Sequence, residues 1–293
     1  MKKKPLHMDN PKISIITSTY NSGKTLKDTI ESVLHQSYTN IEYIIVDGNS
    51  SDNTVEIIKS SVVKFTEKNI SFKWISEPDS GIYNAWNKGL KFVTGDWIVF
   101  IGSDDYFINN KVFEESVPFL SNALNNNNRF VYGKIEHVNQ QKQKIEESGK
   151  SWKEQKKRFT YTMNIGHTGS FHHKALFEDH GNFNETFKIV GDYEFLLREL
   201  KNPKKDAFFL DKLLVVMREG GVSASLKNRL TLVKENKKAR KLNGITSFSK
   251  ELFFWEIRVR VILFFSKLFG ENFAAKLADF YRKLLGKEKR WTA

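Results

Sequence analysis

Two adjacent carboxylates follow an apolar run in the sequence DWIVFIGSDDYF, residues 96–107. The run WIVFI is typical of a strand that is covered on both faces, and Asp104 and Asp105 come shortly after it. Neighbouring carboxylates raise each other's proton affinity, so the pair predicts a positively charged partner. Two oxygen ligands of this kind suit Mg²⁺ or Mn²⁺, although Asp-Asp after a strand is also ordinary turn chemistry.

Other acidic residues stand where neighbouring strands are predicted to end. Apolar runs predict strands over residues 13–17, 41–47, 71–76 and 97–101, and helical spacing predicts helices over 22–37 and 51–65. This alternation predicts an α/β fold, a mostly parallel sheet sandwiched by helices. Ligands of such sheets bind beyond the carboxyl ends of the strands, and three of these four ends carry Asp. The polar segment 121–130 predicts a surface loop.

A nucleotide diphosphate bound at these strand ends needs its charge neutralised. A glycine-rich loop leading into a helix is one means, but the sequence contains neither G-x-G-x-x-G nor G-x-x-x-x-G-K-[ST]. A metal ion held by carboxylates is the other means, and the acidic strand ends offer it. The chain has no cysteine, which excludes disulfides, thiolate metal sites and cysteine nucleophiles.

The positive charge is concentrated in the last part of the sequence. Residues 226–293 contain 17 Lys and Arg against 6 Asp and Glu, which accounts for +11 of the net charge of +13. Their apolar residues form helical faces over 252–269 and 271–287, whereas nucleic-acid binding favours isolated aromatic residues along a basic groove. We therefore expect these helices to lie on an anionic membrane, with no nucleic-acid partner. Packing on the protein body or dimerisation is the alternative.

Neither an export signal nor a membrane-spanning segment is predicted. The stretch MKKKPLHMDNPK lacks the apolar core of a signal peptide. Nowhere do 18 uncharged apolar residues run together, so a simple membrane-spanning helix is not expected. The expected location is cytoplasmic, with peripheral attachment to the cytoplasmic face of the membrane.

Four motifs occur in a characteristic order and spacing: ISIITSTYN, IEYIIVDGNSSDNT, ISEPDSGIYNAWNKGL and GDWIVFIGSDD. Together they closely resemble the nucleotide-binding half of family 2 glycosyltransferases of the bacterial surface-polysaccharide type, which have the A-type glycosyltransferase fold. The resemblance implies a catalytic domain over 11–225, with a nucleotide-binding half over 11–105 and an acceptor half over 106–225. A basic amphipathic helical tail over 226–293 would follow it.

The resemblance assigns the sugar donor to residues at the strand ends. Under it, Thr17, Thr19, Tyr20 and Asn21 would line the pocket for the base and ribose. Asp47 would accept a hydrogen bond from the base, most simply from the imide N–H of uracil. The remaining expected donor contacts are Gly48, Ser50, Asp79, Gly81, Asn87, Ser103 and Asp104.

The resemblance also implies a metal site at Asp104 and Asp105. Asp104 falls at the last position of the family's D-x-D motif, but Gly102 occupies the place of the first Asp. The cofactor would be Mn²⁺ or Mg²⁺, held by Asp104 with help from Asp105, the diphosphate and water.

A candidate base lies in FKIVGDYEFLLRE, residues 187–199, which resembles the segment that deprotonates the acceptor hydroxyl in the family. The resemblance assigns this role to Asp192, whereas a lone acid before a helix is most often a cap. Glu194 is expected to form an ion pair four residues along the same helix. His167 is expected to contact the acceptor, and residues 218–224, REGGVSA, resemble a loop that closes over the donor.

These assignments predict a metal-dependent, inverting glycosyltransferase. It would move a sugar from a nucleotide-diphosphate sugar, most simply a UDP-sugar, to a hydroxyl of a glycan or lipid-linked oligosaccharide. One alternative is a sugar-nucleotide nucleotidyltransferase, although TSTYNSGKT is a poor match to the glycine-rich basic loop of that class. The other is a membrane adaptor that keeps a nucleotide-sugar fold without turnover.

Overall fold

The computed structural model describes residues 10–221 and 228–270 and, beyond them, residues 273, 276, 279, 280, 283 and 286. Its first half alternates strands and helices in the order β1 (Ile13–Thr19), α1 (Leu26–Leu34), β2 (Ile41–Asp47), α2 (Thr54–Glu67), β3 (Ser71–Ser76), α3 (Ile82–Leu90) and β4 (Trp97–Phe100). The second half contains β5 (Tyr106–Phe107), α4 (Val112–Asn125), β6 (Phe130–Val138), β7 (Lys144–Ser148), α5 (Trp152–Phe159), β8 (Phe171–His173), α6 (Ala175–His180), α7 (Gly191–Leu200), β9 (Phe208–Arg218), α8 (Arg229–Leu242) and α9 (Lys250–Phe269).

The strands form one mixed sheet in the order β3-β2-β1-β4-β8-β6-β9-β5, with β7 paired to β6 outside this sequence. The first four strands in this order run parallel, so their carboxyl ends meet at one edge. β8 enters antiparallel between β4 and β6, and β9 runs parallel to β6. β6 and β9 therefore point the same way as β4, and β9 ends at the edge where β4 ends.

Side chains of the central strands alternate between two hydrophobic cores, one on each face of the sheet. Ile15 and Val99 face the core that α1, α2 and α4 cover. Ile16 and Phe100 face the core that α3, α6, α7 and α8 cover. All four are fully buried, and burying each such side chain stabilises the fold by about 1.5–3 kcal/mol. The α/β sandwich predicted from the apolar runs is confirmed.

The prediction of a loop over 121–130 is wrong for its first five residues. Residues 121–125 form the last turns of α4, where Leu120 and Ala123 are buried. The apolar residues of this helix recur at helical spacing and pack on the sheet, which outweighs the low helix propensity of asparagine. The loop begins only at Asn126, and the next residue, Asn127, has a positive φ of 60°.

The packed body continues past residue 225, because α8 lies against α7. Leu232, Val233 and Ala239 of α8 are buried, and two of them belong to the core that α7 covers. α9 follows and buries only Leu252 and Val259, so much of its apolar surface is exposed. Within the described residues, no helix combines the length and apolar character that spanning a membrane requires. The amphipathic helix predicted over 271–287 falls largely outside the described residues.

Candidate donor and acceptor site

The loop after β2 is closed around the Asp47 carboxylate. Asp47 is fully buried and accepts hydrogen bonds from Ser50 N–H (3.0 Å), the Ser50 hydroxyl and the Ser76 hydroxyl (2.6 Å). The Asn21 side chain ties this loop to the end of β1, since its Oδ1 accepts a hydrogen bond from Ser51 N–H at 2.9 Å. A carboxylate offers about four acceptor positions, so about one is left for a ligand.

Thr17 and Thr19 lie beneath this loop. Both residues are buried, and the Thr17 hydroxyl accepts a hydrogen bond from the Tyr43 hydroxyl at 3.1 Å. The Thr19 hydroxyl is buried and has no hydrogen-bond partner among the described residues. Because a buried hydroxyl without a partner is costly, a ligand group that reached it would gain a hydrogen bond.

A cleft of about 310 Å³ opens beside the loop, lined by Tyr20, Gly48, Asn49, Pro78 and Asp79. The Tyr20 ring is 65% exposed, which makes it available for stacking on a flat ligand. A Cβ at Gly48 would lie 2.6 Å from Asp79 Oδ2, so a larger residue there would displace the Asp79 carboxylate. Three of the expected donor contacts, at positions 20, 48 and 79, therefore share one cleft.

The Asp104 and Asp105 carboxylates converge over Gly102. A Cβ at Gly102 would lie 2.8 Å from Asp104 Oδ1 and 3.0 Å from Asp105 Oδ2, so glycine leaves room for both groups. Asp105 is buried and accepts a hydrogen bond from the Thr168 hydroxyl at 2.9 Å. Burial, and then the neighbouring Asp104 carboxylate, raise the pKa of Asp105, while burial raises that of Asp104.

Arg218 supplies positive charge next to this pair. It lies at the end of β9, and its guanidinium donates hydrogen bonds to the Asp104 carbonyl at 2.6 Å and to the Asp28 carboxylate. Its backbone N–H donates to Asp105 Oδ1 at 3.3 Å. The guanidinium also lies 5.1 Å from the centre of the Tyr106 ring. A positively charged group, the Arg218 guanidinium, therefore lies next to the acidic pair, as predicted. It donates to the backbone carbonyl of Asp104 and not to the Asp104 carboxylate.

The two carboxylates fit a divalent cation as a partial ligand set. Their oxygens are the hard ligands that Mg²⁺ and Mn²⁺ prefer, and their raised proton affinity would be relieved by a second positive charge. Among the described residues, no cluster of three or more His, Cys, Asp or Glu could hold a metal alone. An ion at Asp104 and Asp105 would therefore take its remaining ligands from a bound phosphate and water.

Asp192 lies in the first turn of α7, where it meets a residue of α3. The Tyr83 hydroxyl donates a hydrogen bond to Asp192 Oδ1 at 3.2 Å. Burial raises the pKa of Asp192 to about 6. Hydrogen bonds from Tyr193 N–H and from Tyr83 lower this pKa, but burial has the larger effect. The adjacent Gly191 is needed for this contact, since a Cβ there would lie 2.8 Å from the Tyr83 ring. The carboxylate is thus ionised near neutral pH but close to its titration range.

His167 packs in an aromatic cluster between α3 and the sheet. Its ring is stacked at 5.2 Å from Trp86 and 5.7 Å from Phe100. Burial lowers the pKa of His167 to about 3, so the imidazole is neutral. Its Nε2 and the Trp86 Nε1 are buried polar atoms without a hydrogen-bond partner among the described residues. A neutral imidazole here can exchange hydrogen bonds with a hydroxyl but cannot supply positive charge.

The other expected donor contacts are engaged within the protein. The Asn87 amide donates to the Phe183 carbonyl at 2.9 Å and to Glu185 at 2.8 Å, which ties α3 to the segment before α7. The Ser103 hydroxyl shares a 2.8 Å hydrogen bond with the Ser22 hydroxyl. Gly81 directly precedes α3, with a φ of 132° that favours glycine, and its N–H donates to Asp79 Oδ1 at 2.9 Å. Unlike at Asn87 and Ser103, the space beside it is open, since no atom lies within 4 Å of where its Cβ would be.

Sequence reasoning gave no role to Tyr83 or Arg218. Tyr83 lies in the motif ISEPDSGIYNAWNKGL, between the expected donor contacts Gly81 and Asn87. Arg218 is the first residue of REGGVSA, the segment that resembles a closing loop. Their partners are 109 and 114 residues away in the chain, which no local pattern reveals. The ion pair expected for Glu194 is confirmed, since its partner Arg198 donates to both of its carboxylate oxygens.

The sequence matches the family described as Glycosyl transferase family 2 over residues 14–179, more than half of the chain. The chain belongs to glycosyltransferase family 2. The matched region contains the cleft and the Asp104–Asp105 pair, and it ends before Asp192. The predicted resemblance is thereby confirmed.

Two curated relatives of this family 2 glycosyltransferase are informative. A PGL/p-HBAD biosynthesis glycosyltransferase of Mycobacterium bovis is 26% identical over 222 residues, which are 75% of this chain and 82% of the relative. The UDP-Glc:alpha-D-GlcNAc-diphosphoundecaprenol beta-1,3-glucosyltransferase WfgD of Escherichia coli is 37% identical over 132 residues. That match covers 45% of this chain and 49% of the relative.

Two solved structures share the fold of this family 2 glycosyltransferase. S. aureus TarS 1-349 in complex with UDP has 20% sequence identity and a TM-score of 0.59, over 85% of this chain and 69% of that one. The mannosyltransferase PcManGT from Pyrobaculum calidifontis, in complex with GDP-Man and Mn²⁺, has 14% identity and a TM-score of 0.57, over 91% and 74%. The A-type glycosyltransferase fold with C-terminal helices is confirmed.

Proposed function

We propose that this family 2 glycosyltransferase transfers a sugar from a UDP-sugar to a hydroxyl of a glycan or lipid-linked oligosaccharide, with inversion at the anomeric carbon. The observation that carries the proposal is the carboxylate of Asp192, partly buried, ionised near neutral pH and held by Tyr83. The names of WfgD and of the TarS complex support UDP as the nucleotide, and that of WfgD supports a diphosphate-linked acceptor.

The proposed reaction is a single displacement. Asp192 accepts the proton of the acceptor hydroxyl while that oxygen bonds to the anomeric carbon and the bond to the diphosphate breaks. The nucleoside diphosphate departs with the bonding electron pair. A Mn²⁺ or Mg²⁺ ion, held by Asp104 and Asp105, would supply charge neutralisation for this leaving group. Tyr83 keeps the Asp192 carboxylate oriented throughout.

The donor is proposed to lie in the cleft beside β2. The exposed Tyr20 ring would stack on the base, and Asp79 would accept hydrogen bonds from the ribose or sugar. Asp47 has about one acceptor position left for the imide N–H of uracil, and because it is fully buried, its loop, held by Ser50 and Asn21, must move for the base to reach it. His167 is proposed to face the acceptor as a neutral hydrogen-bonding group.

Replacing Asp192 by Asn tests the proposal. The amide keeps the shape and can accept the Tyr83 hydrogen bond, but it cannot take up a proton. We expect turnover to fall by about 10²–10⁴-fold while the affinity for UDP is unchanged. The measurements are release of UDP from a panel of UDP-sugars and calorimetric titration of UDP. Turnover retained in Asp192→Asn would remove the base role from this residue.

We further propose that the enzyme lies on an anionic membrane through one face of α9. The apolar side chains on this face are exposed and recur every three or four residues: Phe253, Phe254, Ile257, Val261, Phe264 and Leu268. α9 contains four basic residues against two acidic ones, Glu251 and Glu256, so the helix keeps a net positive charge although Glu256 is paired with Lys237 and Arg260. A basic helix with an exposed Phe-rich face suits the headgroup region of anionic lipid.

This attachment fits the proposed acceptor class. A lipid-linked oligosaccharide presents its sugars at the membrane surface, and an enzyme that rests there meets its acceptor without leaving the surface. The proposed location is therefore peripheral, on the cytoplasmic face, where nucleotide sugars would supply the donor.

A further inference from the structure

Glu235 of α8 binds three consecutive backbone N–H groups just before α7. Its Oε1 accepts from Lys188 at 2.8 Å, and its Oε2 accepts from Ile189 at 2.9 Å and Val190 at 3.1 Å. Helix starts leave N–H groups without intrahelical partners, and α7 has no side-chain cap of its own. The entry into α7 is thus held from another helix, 45 to 47 residues along the chain.

The segment that Glu235 holds leads directly to Asp192. Val190 is two residues before it, so fixing three amides there fixes where the Asp192 side chain leaves the backbone. The backbone N–H of Tyr193, in the first turn of α7, also acts on the Asp192 carboxylate and lowers its pKa. The position of the backbone at the start of α7 therefore bears directly on Asp192.

Packing of α8 on α7 does not by itself require a carboxylate at this position. Glu235 is buried to 8% exposure, and no Lys, Arg or His forms an ion pair with it in the part of the chain that the structure describes. A buried charge without a cationic partner is costly, and the N-terminus of α7 offsets this only in part. The charge itself has an effect on Asp192, because the Glu235 carboxylate adds to burial in raising its pKa.

We propose that Glu235 is a positioning residue for Asp192, holding the entry of α7 so that the carboxylate faces the acceptor. The inference rests on the proposed function, in which Asp192 is the base. It makes α8 part of the catalytic apparatus, although α8 follows the region that resembles the catalytic domain.

Among the described residues, the charged and titratable groups that act on Asp192 from neighbouring elements are Tyr83 of α3 and Glu235 of α8. Glu235→Gln removes the negative charge, so the pKa of Asp192 falls and the carboxylate stays ionised to lower pH. The Gln side chain also has only one acceptor oxygen, and its NH₂ group would face backbone N–H groups that it cannot bond. The segment 188–190 is then held less firmly. The acid limb of turnover should move to lower pH, with kcat reduced and the KM for donor unchanged.

The test compares Glu235→Gln with Asn243→Ala as a matched control. Asn243 is equally buried, and its side chain donates to the Glu194 carbonyl at 3.3 Å and to Ala239 within α8, so it joins α8 to α7 away from residues 188–190. We measure amide hydrogen exchange of 188–190 and the titration of the Asp192 carboxyl carbon by NMR in full-length protein. Neither readout needs the natural substrate.

We expect Glu235→Gln alone to speed exchange at 188–190 and to lower the Asp192 titration midpoint, and kcat to fall by about 10–100-fold. Unchanged exchange and titration in Glu235→Gln, or the same changes in Asn243→Ala, would overturn the inference. The proposed function is tested separately, because it fails if the Asp192→Asn variant remains active. That result does not depend on whether Glu235→Gln alters the titration of Asp192.

Discussion

Two acidic residues in this enzyme are kept in opposite electrostatic settings. Asp105 is buried beside another carboxylate, so it favours a proton or a cation. Asp192 receives a hydrogen bond from Tyr83 and from backbone N–H groups, so its pKa rises only to about 6. One setting suits a metal diphosphate and the other suits a base, which is the division of roles that the proposed transfer requires.

The metal proposal predicts that Mn²⁺ tightens the binding of UDP and that Asp104→Ala abolishes this gain. The reason is that the ion takes ligands from both the carboxylates and the diphosphate. Calorimetric titration of UDP with and without Mn²⁺ measures the effect. Asp211→Asn, which changes an exposed carboxylate on β9, is the control and should behave like the wild type. A gain from Mn²⁺ that survives Asp104→Ala would contradict the site.

The pKa of Asp192 predicts that turnover rises with pH through about 6, because only the ionised carboxylate can accept a proton. Tyr83→Phe removes a hydrogen bond that favours the ionised form, so the pKa of Asp192 rises and the acid limb moves to higher pH. The pH dependence of kcat/KM measures this shift. A shift to lower pH, or none, would show that Tyr83 does not stabilise the Asp192 carboxylate.

Helix α3 connects the cleft proposed for the donor with the side proposed for the acceptor. It begins at Ile82, directly after Gly81, whose N–H donates to Asp79 of the cleft. Along the helix, Tyr83 contacts Asp192 and Trp86 stacks on His167. Close packing fixes it in place, since a Cβ at Gly89 would lie 2.8 Å from Ile16 Cγ2 of β1. Its position is therefore determined by the sheet on one side and by α7 on the other.

Gly191→Ala tests the contact between α3 and α7. The added Cβ would lie 2.8 Å from the Tyr83 ring, so the ring must shift and its hydroxyl leaves Asp192. We expect a loss of about 1–3 kcal/mol in the free energy of unfolding and an acid limb moved to higher pH.

Gly89→Ala is the matched control for this substitution. Its Cβ would meet Ile16 at the same 2.8 Å, so a similar overpacking cost is expected without any effect on the Asp192 carboxylate. Thermal unfolding and the pH dependence of kcat/KM are measured for both variants. If both move the acid limb alike, the shift comes from general destabilisation and not from the Tyr83 contact.

At the scale of the whole molecule, charge and exposed apolar surface coincide in the last helices. Residues 226–293 hold +11 of the net charge of +13, and α9, which belongs to this segment of the sequence, exposes its Phe-rich face. Each Lys or Arg near an anionic surface is worth about 1 kcal/mol, and each inserted Phe adds about 1.5–3 kcal/mol. A few such contacts together give measurable membrane binding.

The double variant Phe254→Asp and Phe264→Asp tests this surface. Both side chains are exposed, so the fold should tolerate the change, while insertion of the α9 face into lipid becomes unfavourable. We expect the wild type to sediment with phosphatidylglycerol vesicles and the double variant to stay in solution. The control is Val63→Asp, which changes an exposed apolar residue of α2 and should leave sedimentation unchanged.

Two results would contradict membrane attachment through α9. The first is sedimentation of the double variant with vesicles as efficiently as the wild type. The second is a wild-type dimer that the double variant converts to monomer while neither protein binds vesicles, which would mean that the face binds a second copy. Mass measurement in solution and the same sedimentation assay distinguish these results.

The central strands, the acids at their ends and the family can all be predicted from the order of the residues alone. Runs such as ISIIT and WIVFI are buried on both faces, and such burial leaves a local apolar pattern that can be read directly. The carboxyl ends of parallel strands then lie together by topology, so the acids that follow them are neighbours in space.

Which groups act on those acids depends on how distant segments pack together. Tyr83 reaches Asp192 across 109 residues, Arg218 reaches Asp104 across 114, and Glu235 reaches Val190 across 45. None of these contacts leaves a periodic or spaced signal, because they arise where separate helices and strands pack on each other. The helical end of α4 was missed for the same reason, since its asparagines are outweighed by packing on the sheet.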